Sequence, residues 1–213
     1  MFSTNIAVSI IRFITLIPAL TLHELSHAMV ADRFGDDTPR RAGRLTLNPL
    51  AHLDVMGSLM LLIAGFGWAK PVPINPYALY RRSRWAVMWV SLAGPLANLA
   101  LAILAIIPLR LGWVPVEMQS NAILPTPFTF LVQFMLINVM LAIFNLIPVS
   151  PLDGEKVLEP FLPPSALNTL DRIRPYGPLI LMAIVFILPA IGIDIFGWIM
   201  TPLMRLFLWI AVS

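Results

Sequence analysis

The stretch "TLHELSHAMV", residues 21–30, places two histidines and a glutamate inside a sequence that otherwise has the composition of a membrane span. Ionisable groups are costly within a span, and they generally mark functional sites there. His23, Glu24 and His27 form the pattern H-E-x-x-H. Positions i and i+4 share one face of a helix, so both imidazoles can bind one Zn²⁺ while the glutamate reaches a water molecule at the metal. The alternative is an ordinary helix whose polar residues pair with a neighbouring helix.

The composition of the whole chain is that of a membrane protein. Of the 213 residues, 59% are hydrophobic and 12% are charged, and this charged fraction is about half that of a soluble domain. Several apolar runs reach the roughly 20 residues that a helix needs to cross a bilayer. We therefore expect an all-α, multi-pass integral membrane protein, a bundle of about 4–5 spans, with the lipid bilayer and no nucleic acid among its partners. The absence of cysteine excludes disulfides and thiolate metal sites.

The apolar runs indicate a single membrane-embedded domain that covers residues 1–213. Its core is expected at residues 6–160, with three helices at about 6–30, 85–109 and 128–146. Further apolar helices are expected at 177–213, either as one span that ends near residue 191 or as two.

A small β/re-entrant element is expected between the first two core helices. Leu45 and Leu47 alternate with Thr46 and Asn48, which predicts a short strand. Prolines make the segment "AKPVPINP", residues 69–76, extended. The apolar piece at 55–68 is too short for an easy crossing, so we expect it to enter the membrane and return beside a cavity.

Basic residues predict the topology, because cytoplasmic loops carry an excess of lysine and arginine. Between the first and second core helices lie Arg33, Arg40, Arg41, Arg44, Lys70, Arg81, Arg82 and Arg84. Three more follow the third core helix (Lys156, Arg172 and Arg174), whereas only Arg110 lies between the second and third. Residues 31–84 and 150–175 are therefore expected in the cytoplasm, and the N-terminus outside.

A catalytic zinc site has three protein ligands and a water, so a third ligand is needed. Asp153 follows the third core helix, where Pro148 and Pro151 prevent helix continuation and Gly154 permits unusual dihedrals. The predicted topology brings Asp153 to the same side of the membrane as His27. A loop turn in "PLDG" is the simpler explanation of Asp153, and His52 is the other candidate for the third ligand.

Three motifs in this order resemble the site-2 protease family of intramembrane zinc metalloproteases: "HELSH" at 23–27, "GPLAN" at 94–98 and "NLIPVSPLDG" at 145–154. The segments "GRLTLNPLAHLD" and "GWAKPVPINP" are similar to those of its compact bacterial and archaeal members, without a PDZ or CBS domain. The resemblance implies Zn²⁺, one per chain, bound by His23, His27 and Asp153, with Glu24 as the catalytic acid/base.

The same resemblance implies that Gly94 and Asn98 pack the core, and it makes Asn98 and Asn145 candidates for oxyanion stabilisation or substrate positioning. From the residues alone, Gly94 and Asn98 fit close helix packing equally well, and Asn145 could cap a broken helix end.

The expected function is that of an intramembrane zinc metalloprotease in a prokaryotic cytoplasmic membrane, with its active site towards the cytoplasm. Its substrate would be a transmembrane protein or peptide, which an exposed strand edge at Leu45, Thr46 and Leu47 could hold by β-augmentation. Oligomerisation is compatible with the sequence. The alternative is a membrane zinc carrier or transporter that uses the same ligands.

Overall fold

The computed structural model describes residues 6–64, 67–116 and 125–212, and nearly all of its regular structure is helical. The helices are α1 Ile6–Arg33, α2 Thr38–Arg41, α3 Val55–Ala64, α4 Pro76–Arg82, α5 Ala86–Arg110, α6 Pro127–Asn145, α7 Asp153–Leu158, α8 Pro164–Ile173, α9 Gly177–Met182, α10 Leu188–Ala190 and α11 Ile195–Val212. A π-helical stretch, Ala183–Ile187, joins α9 to α10, and 3₁₀ turns lie at Pro49–Ala51, Glu159–Phe161 and Arg174–Tyr176.

Four helices in the described ranges are long and apolar enough to cross a membrane: Phe13–Arg33, Ala86–Arg110, Pro127–Asn145 and the continuous run Pro164–Ala190. A shorter apolar helix follows at Ile195–Ala211. These helices confirm the predicted helical membrane bundle. In the tail, Gly192 adopts a φ of 89°, a left-handed conformation that suits glycine, and it separates α10 from α11.

The core of the bundle is formed by α5, which packs against both α1 and α6, and these two helices also contact each other. Small side chains lie at these contacts and are fully buried, among them Ala19 and Ala28 of α1 and Ala102 of α5. Small residues let helix backbones approach closely, which favours helix association in lipid. A larger apolar cluster fills the space between α5, α6 and α11, and it includes Ala105, Ile106, Leu109, Met135, Val139 and Ala211.

The predicted β-strand around Leu45–Leu47 is not found: no strand forms in the part of the chain that the structure describes. The chain bends at these residues instead, because short-range hydrogen bonds replace the ladder that a strand would need. The Thr46 hydroxyl accepts a hydrogen bond from the Asn48 N–H, and the Thr46 carbonyl accepts one from Nε2 of His52. Asn48 then caps the 3₁₀ turn that begins at Pro49.

One isolated antiparallel bridge, between Leu53 and Ala69, joins the two ends of the segment that contains α3. The Lys70 N–H donates to the His52 carbonyl beside it at 2.8 Å. A Cβ on Gly57 of α3 would lie 2.2 Å from the Trp68 carbonyl oxygen, so this glycine lets the helix pack against the returning chain. The two ends of this segment, Leu53 and Ala69, therefore lie side by side.

Candidate metal centre

The H-E-x-x-H residues lie on the buried face of α1. His23 and His27 are one helical turn apart, and their Nε2 atoms are 3.0 Å from each other. Both imidazoles are buried, with 4% and 7% of the residue exposed. Two ring nitrogens so close together in a buried place would repel each other by their lone pairs unless a proton or a cation lay between them.

Asp153 meets this pair from the far end of α6. That helix ends at Asn145, and residues 146–152 separate it from α7, which begins with Asp153. The Oδ2 atom of Asp153 lies 3.3 Å from Nε2 of His23 and 3.2 Å from Nε2 of His27. The two imidazoles and the carboxylate thus form the group that could hold a metal ion in the described chain.

Gly154 has a different role from the one expected. Its φ is not positive, so it is not needed for an unusual backbone conformation. A Cβ there would lie 2.3 Å from the Leu146 carbonyl oxygen. Glycine is therefore required because the start of α7 packs directly on the backbone that leaves α6, and this packing is what brings Asp153 to the histidines.

The donor set fits Zn²⁺. Tetrahedral zinc with bonds of about 2.0–2.1 Å has ligand atoms about 3.3–3.4 Å apart. The three separations here, 3.0, 3.2 and 3.3 Å, are close to that spacing. Burial raises the pKa of the Asp153 carboxyl, but the neighbouring His27 and His23 outweigh it, so the pKa lies below its ordinary value. The carboxylate is thus in the form that binds a cation.

Both histidines are oriented by a hydrogen bond at the other ring nitrogen. Nδ1 of His27 donates to the Val90 carbonyl at 2.6 Å, and Nδ1 of His23 donates to Oδ1 of Asn98 at 2.6 Å. Such outer hydrogen bonds fix the tautomer and leave Nε2 free to bind a metal. The sequence made Asn98 a candidate but did not predict its contact with His23, and it did not indicate Val90. Both partners lie on α5, more than sixty residues away along the chain.

Asn98 is completely buried, and its amide group is fully used. Its Nδ2 donates to the Ala19 carbonyl at 3.2 Å and to Oδ1 of Asn138 at 2.8 Å. Asn138 in turn donates to the Phe134 carbonyl. Both N–H donors of Asn98 are thus engaged within the bundle, and its Oδ1 contacts His23. Its expected role in oxyanion stabilisation or substrate positioning stays a prediction.

Gly94 lies against the imidazoles rather than only in a helix contact. A Cβ at this position would be 2.4 Å from Nε2 of His27 and 2.6 Å from Cε1 of His23. Any side chain here would enter the space where a metal would bind. Gly94 and Asn98, one turn apart on α5, thus support the two histidines from the same face.

The Glu24 carboxylate is held by a contact that the sequence did not predict. Its Oε2 atom accepts a hydrogen bond from the Val72 N–H at 3.1 Å. Glu24 is buried, with 8% of the residue exposed. Val72 belongs to the proline-rich stretch after α3, so the region between the first two core helices contributes directly to the site.

The remaining candidates lie outside the cluster formed by His23, His27 and Asp153. His52 is completely buried, and its Nε2 donates to the Thr46 carbonyl, so it contributes to the bend at 45–48. Nδ2 of Asn145 donates to the Leu141 carbonyl in its own helix. Leu45, Thr46 and Leu47 line an open cleft of about 500 Å³ together with Leu25 and Met29 of α1.

Comparison with known proteins identifies the family. The profile described as "Peptidase family M50" matches residues 112–188, a range that contains Asp153. A curated protein of Bacillus subtilis, named "Putative zinc metalloprotease YwhC", is 42% identical over 180 residues, which cover 83% of this chain and 80% of that protein. The chain belongs to peptidase family M50.

Two further relatives are also named as putative zinc metalloproteases. Rip2 of Mycobacterium tuberculosis is 35% identical over 186 residues, or 84% of this chain and 66% of that protein. MJ0611 of Methanocaldococcus jannaschii is 31% identical over 160 residues, or 74% of this chain and 75% of that protein. No solved structure matches.

The M50 assignment confirms the resemblance drawn from the sequence. The protein is an intramembrane zinc metalloprotease of the site-2 protease family, its cofactor is Zn²⁺, and its substrates are proteins. It is an integral membrane protein, because its long apolar helices can cross a bilayer. The zinc carrier considered as the alternative finds no support in these relatives.

Proposed function

We propose that His23, His27 and Asp153 hold the Zn²⁺ and that Glu24 is the catalytic acid/base in the hydrolysis of peptide bonds within or near transmembrane segments. The observation that carries this proposal is the triangle of ligand atoms, 3.0 to 3.3 Å on a side, with Glu24 beside it on α1. Two neutral imidazoles and one carboxylate leave a divalent cation with a net positive charge, which favours a developing oxyanion.

When bound, Zn²⁺ supplies Lewis acidity that polarises the scissile carbonyl and activates the attacking water. Glu24 would accept a proton from that water and deliver it to the leaving amine. Its Oε2 is held by the Val72 N–H, while Oε1 has no hydrogen bond to the described residues and is free for this exchange. We assign the whole of residues 1–213 to one such protease domain.

The substrate proposed for this site is a transmembrane helix that unwinds locally. A scissile carbonyl must leave its helical hydrogen bond, and each unsatisfied backbone group in hydrocarbon costs several kcal/mol. The backbone N–H groups of Leu45, Thr46 and Leu47 donate no hydrogen bond within the described chain, and these residues line the open cleft beside α1. They are the groups that we propose to pair with the unwound substrate.

The test is cleavage in proteoliposomes that contain the purified protein and a single-pass membrane protein. We expect a cut within or next to the span, mapped by mass spectrometry. Replacing Gly, Pro or Asn near the cut with leucine should slow cleavage about 10-fold or more without abolishing binding, since those residues weaken a helix by about 1–3 kcal/mol each, Asn by less. An all-leucine span that is cut as fast as a Gly-containing one would contradict the unwinding step.

The proposed location is a prokaryotic cytoplasmic membrane, with the active site towards the cytoplasm. Asp153 follows the C-terminal end of α6 and meets the C-terminal half of α1, so these two helix ends lie on one side of the bundle. The basic residues before α5 and after α6 support the assignment of this side to the cytoplasm, since cytoplasmic loops carry an excess of lysine and arginine. The segment 53–69 leaves from and returns to one place, and we propose that it dips into the membrane without crossing.

Cysteine labelling tests this topology cleanly, because the chain has no cysteine of its own. In spheroplasts, a membrane-impermeant thiol reagent should label the variant Trp113→Cys and leave Arg81→Cys unlabelled until the membrane is opened. Both residues are exposed, so access to the aqueous phase decides the result. External labelling of Arg81→Cys would mean that the segment 53–69 crosses the membrane.

A further inference from the structure

The peptide group between Pro71 and Val72 lies between a buried cation and the proposed catalytic base. Its carbonyl, that of Pro71, accepts a hydrogen bond from Nη2 of Arg44 at 3.0 Å. Its N–H, that of Val72, donates to Oε2 of Glu24 at 3.1 Å. In a trans peptide group the C=O and N–H point in opposite directions, so Arg44 and Glu24 lie on opposite sides of one rigid plane.

Arg44 grips the preceding peptide group as well. Its Nη1 donates to the Lys70 carbonyl at 2.9 Å, so the guanidinium holds two successive carbonyls. Arginine suits this task because its planar fork presents several donors in a fixed geometry. With two consecutive carbonyls fixed, the orientation of the Val72 N–H is fixed too.

Arg44 is a buried cation, which is more than the anchoring of a loop requires. Only 4% of this residue is exposed, and Arg44 takes part in none of the ion pairs, within 4.0 Å, between the described residues. A buried charge without a partner is costly. The hydrogen bonds of Arg44 lead, through the Pro71–Val72 peptide group, to the Glu24 carboxylate. This negative charge can compensate the positive charge of Arg44.

We propose that Arg44 is a positioning residue for catalysis: it fixes the Pro71–Val72 peptide group so that the Val72 N–H holds one oxygen of Glu24 and turns the other towards the reacting water. This proposal rests on the proposed function, because it takes Glu24 as the base. The hydrogen bonds of Arg44 go to the Lys70 and Pro71 carbonyls and not to either histidine or to Asp153, so we expect its loss to leave zinc binding unchanged. A catalytic group displaced by about 1 Å can lose about 100-fold in rate, which sets the scale of the effect.

Two substitutions at Val72 isolate the hydrogen bond. Val72→Pro removes the N–H donor, whereas Val72→Ala removes only the side chain and keeps the donor. We expect Val72→Pro to lower kcat about 10- to 100-fold, with KM and the zinc content of the purified protein unchanged. Val72→Ala keeps the N–H donor, so we expect it to lose markedly less kcat than Val72→Pro. A Val72→Pro protein with wild-type kcat would overturn the proposal, as would an equal loss in Val72→Ala.

Substitutions at Arg44 test the other half of the path, with hydrogen–deuterium exchange as a readout besides activity. Pro71 and Pro73 have no N–H, so Val72 carries the only backbone amide hydrogen between Lys70 and Ile74. In Arg44→Gln this hydrogen should exchange at least about 10-fold faster than in the wild type, and kcat should fall with KM and zinc unchanged. Arg44→Lys should recover part of kcat, because lysine can still donate to one carbonyl.

The matched control is Arg41→Gln, at an exposed arginine that pairs with Asp37. It should change neither the exchange rate at Val72, nor kcat, nor KM, nor the zinc content.

Several results would overturn this assignment. Faster exchange at Val72 with unchanged kcat would show that the contact has no catalytic role, and a parallel loss of zinc, thermal stability and kcat would show that Arg44 is only structural. If Arg44→Gln does not fold, the Val72 pair decides alone. If Glu24→Gln abolishes turnover but Val72→Pro does not, this proposal fails and the proposed function stands. If Glu24→Gln keeps its turnover, the proposed function fails first.

Discussion

Replacing Glu24 with glutamine is expected to lower the rate of peptide-bond cleavage by about 10²–10⁴-fold, the range that general acid–base catalysis contributes. The amide has nearly the shape of the carboxylate, and its oxygen can still accept the Val72 N–H that now binds Oε2. Because the shape is retained, the protein should fold and bind metal normally. Because the amide cannot accept a proton from water, turnover should be lost. The measurement is single-turnover cleavage of a membrane substrate by purified protein, with zinc determined by mass spectrometry.

Glu24→Asp is the control, because it keeps the carboxylate and only shortens its reach. Activity between those of the wild type and Glu24→Gln would be expected. A Glu24→Gln protein that keeps zinc and cuts at the wild-type rate would remove Glu24 from the mechanism, and one that loses zinc would place Glu24 among the ligands.

Replacing Asp153 with alanine is expected to lower zinc occupancy from about one ion per chain to a small fraction of that. The carboxylate is the one anionic member of the proposed ligand set, and its Oδ2 closes the triangle with both imidazoles. Loss of a direct ligand should cost more than the 10- to 100-fold in affinity that loss of an outer hydrogen-bond partner costs. Competition with a zinc chelator of known affinity measures the change.

Two controls separate this effect from a general disturbance of the site. Asp171→Ala removes an exposed carboxylate that contacts Arg174, and zinc binding should not change. His52→Ala tests the other residue considered as third ligand, and it too should keep its zinc. Full occupancy in Asp153→Ala together with loss in His52→Ala would reverse the proposed ligand set.

The sequence predicted the parts of the site that depend on local spacing and on topology. One turn of helix separates His23 from His27, so a shared face followed from the pattern alone. The broken end of the third core helix, together with the distribution of basic residues, brought Asp153 to the same side, and the structure places these three residues together.

The parts that the sequence did not predict depend on contacts between distant segments. Nothing near Asn98 indicated that its amide would meet His23, and nothing near Val72 indicated Glu24, since these pairs are 75 and 48 residues apart. The predicted strand at Leu45–Leu47 was wrong for the opposite reason. Apolar and polar residues do alternate there, but hydrogen bonds within a few residues of Thr46 hold the chain in a bend, so no strand forms at these residues.

The amide-to-amide hydrogen bond between Asn98 and Asn138 also bears on how the bundle assembles in the bilayer. It joins α5 to α6 at a single height, among side chains that otherwise differ little from lipid. Apolar helices can slide along each other at little cost, but a slip by one turn, about 5.4 Å, would break this hydrogen bond. One N–H of Asn98 and Oδ1 of Asn138 would then lose their partner in hydrocarbon. The hydrogen bond between Asn98 and Asn138 thus favours one register of α5 against α6. The same register brings Asp153, which follows α6, to the level of His23 in the bundle.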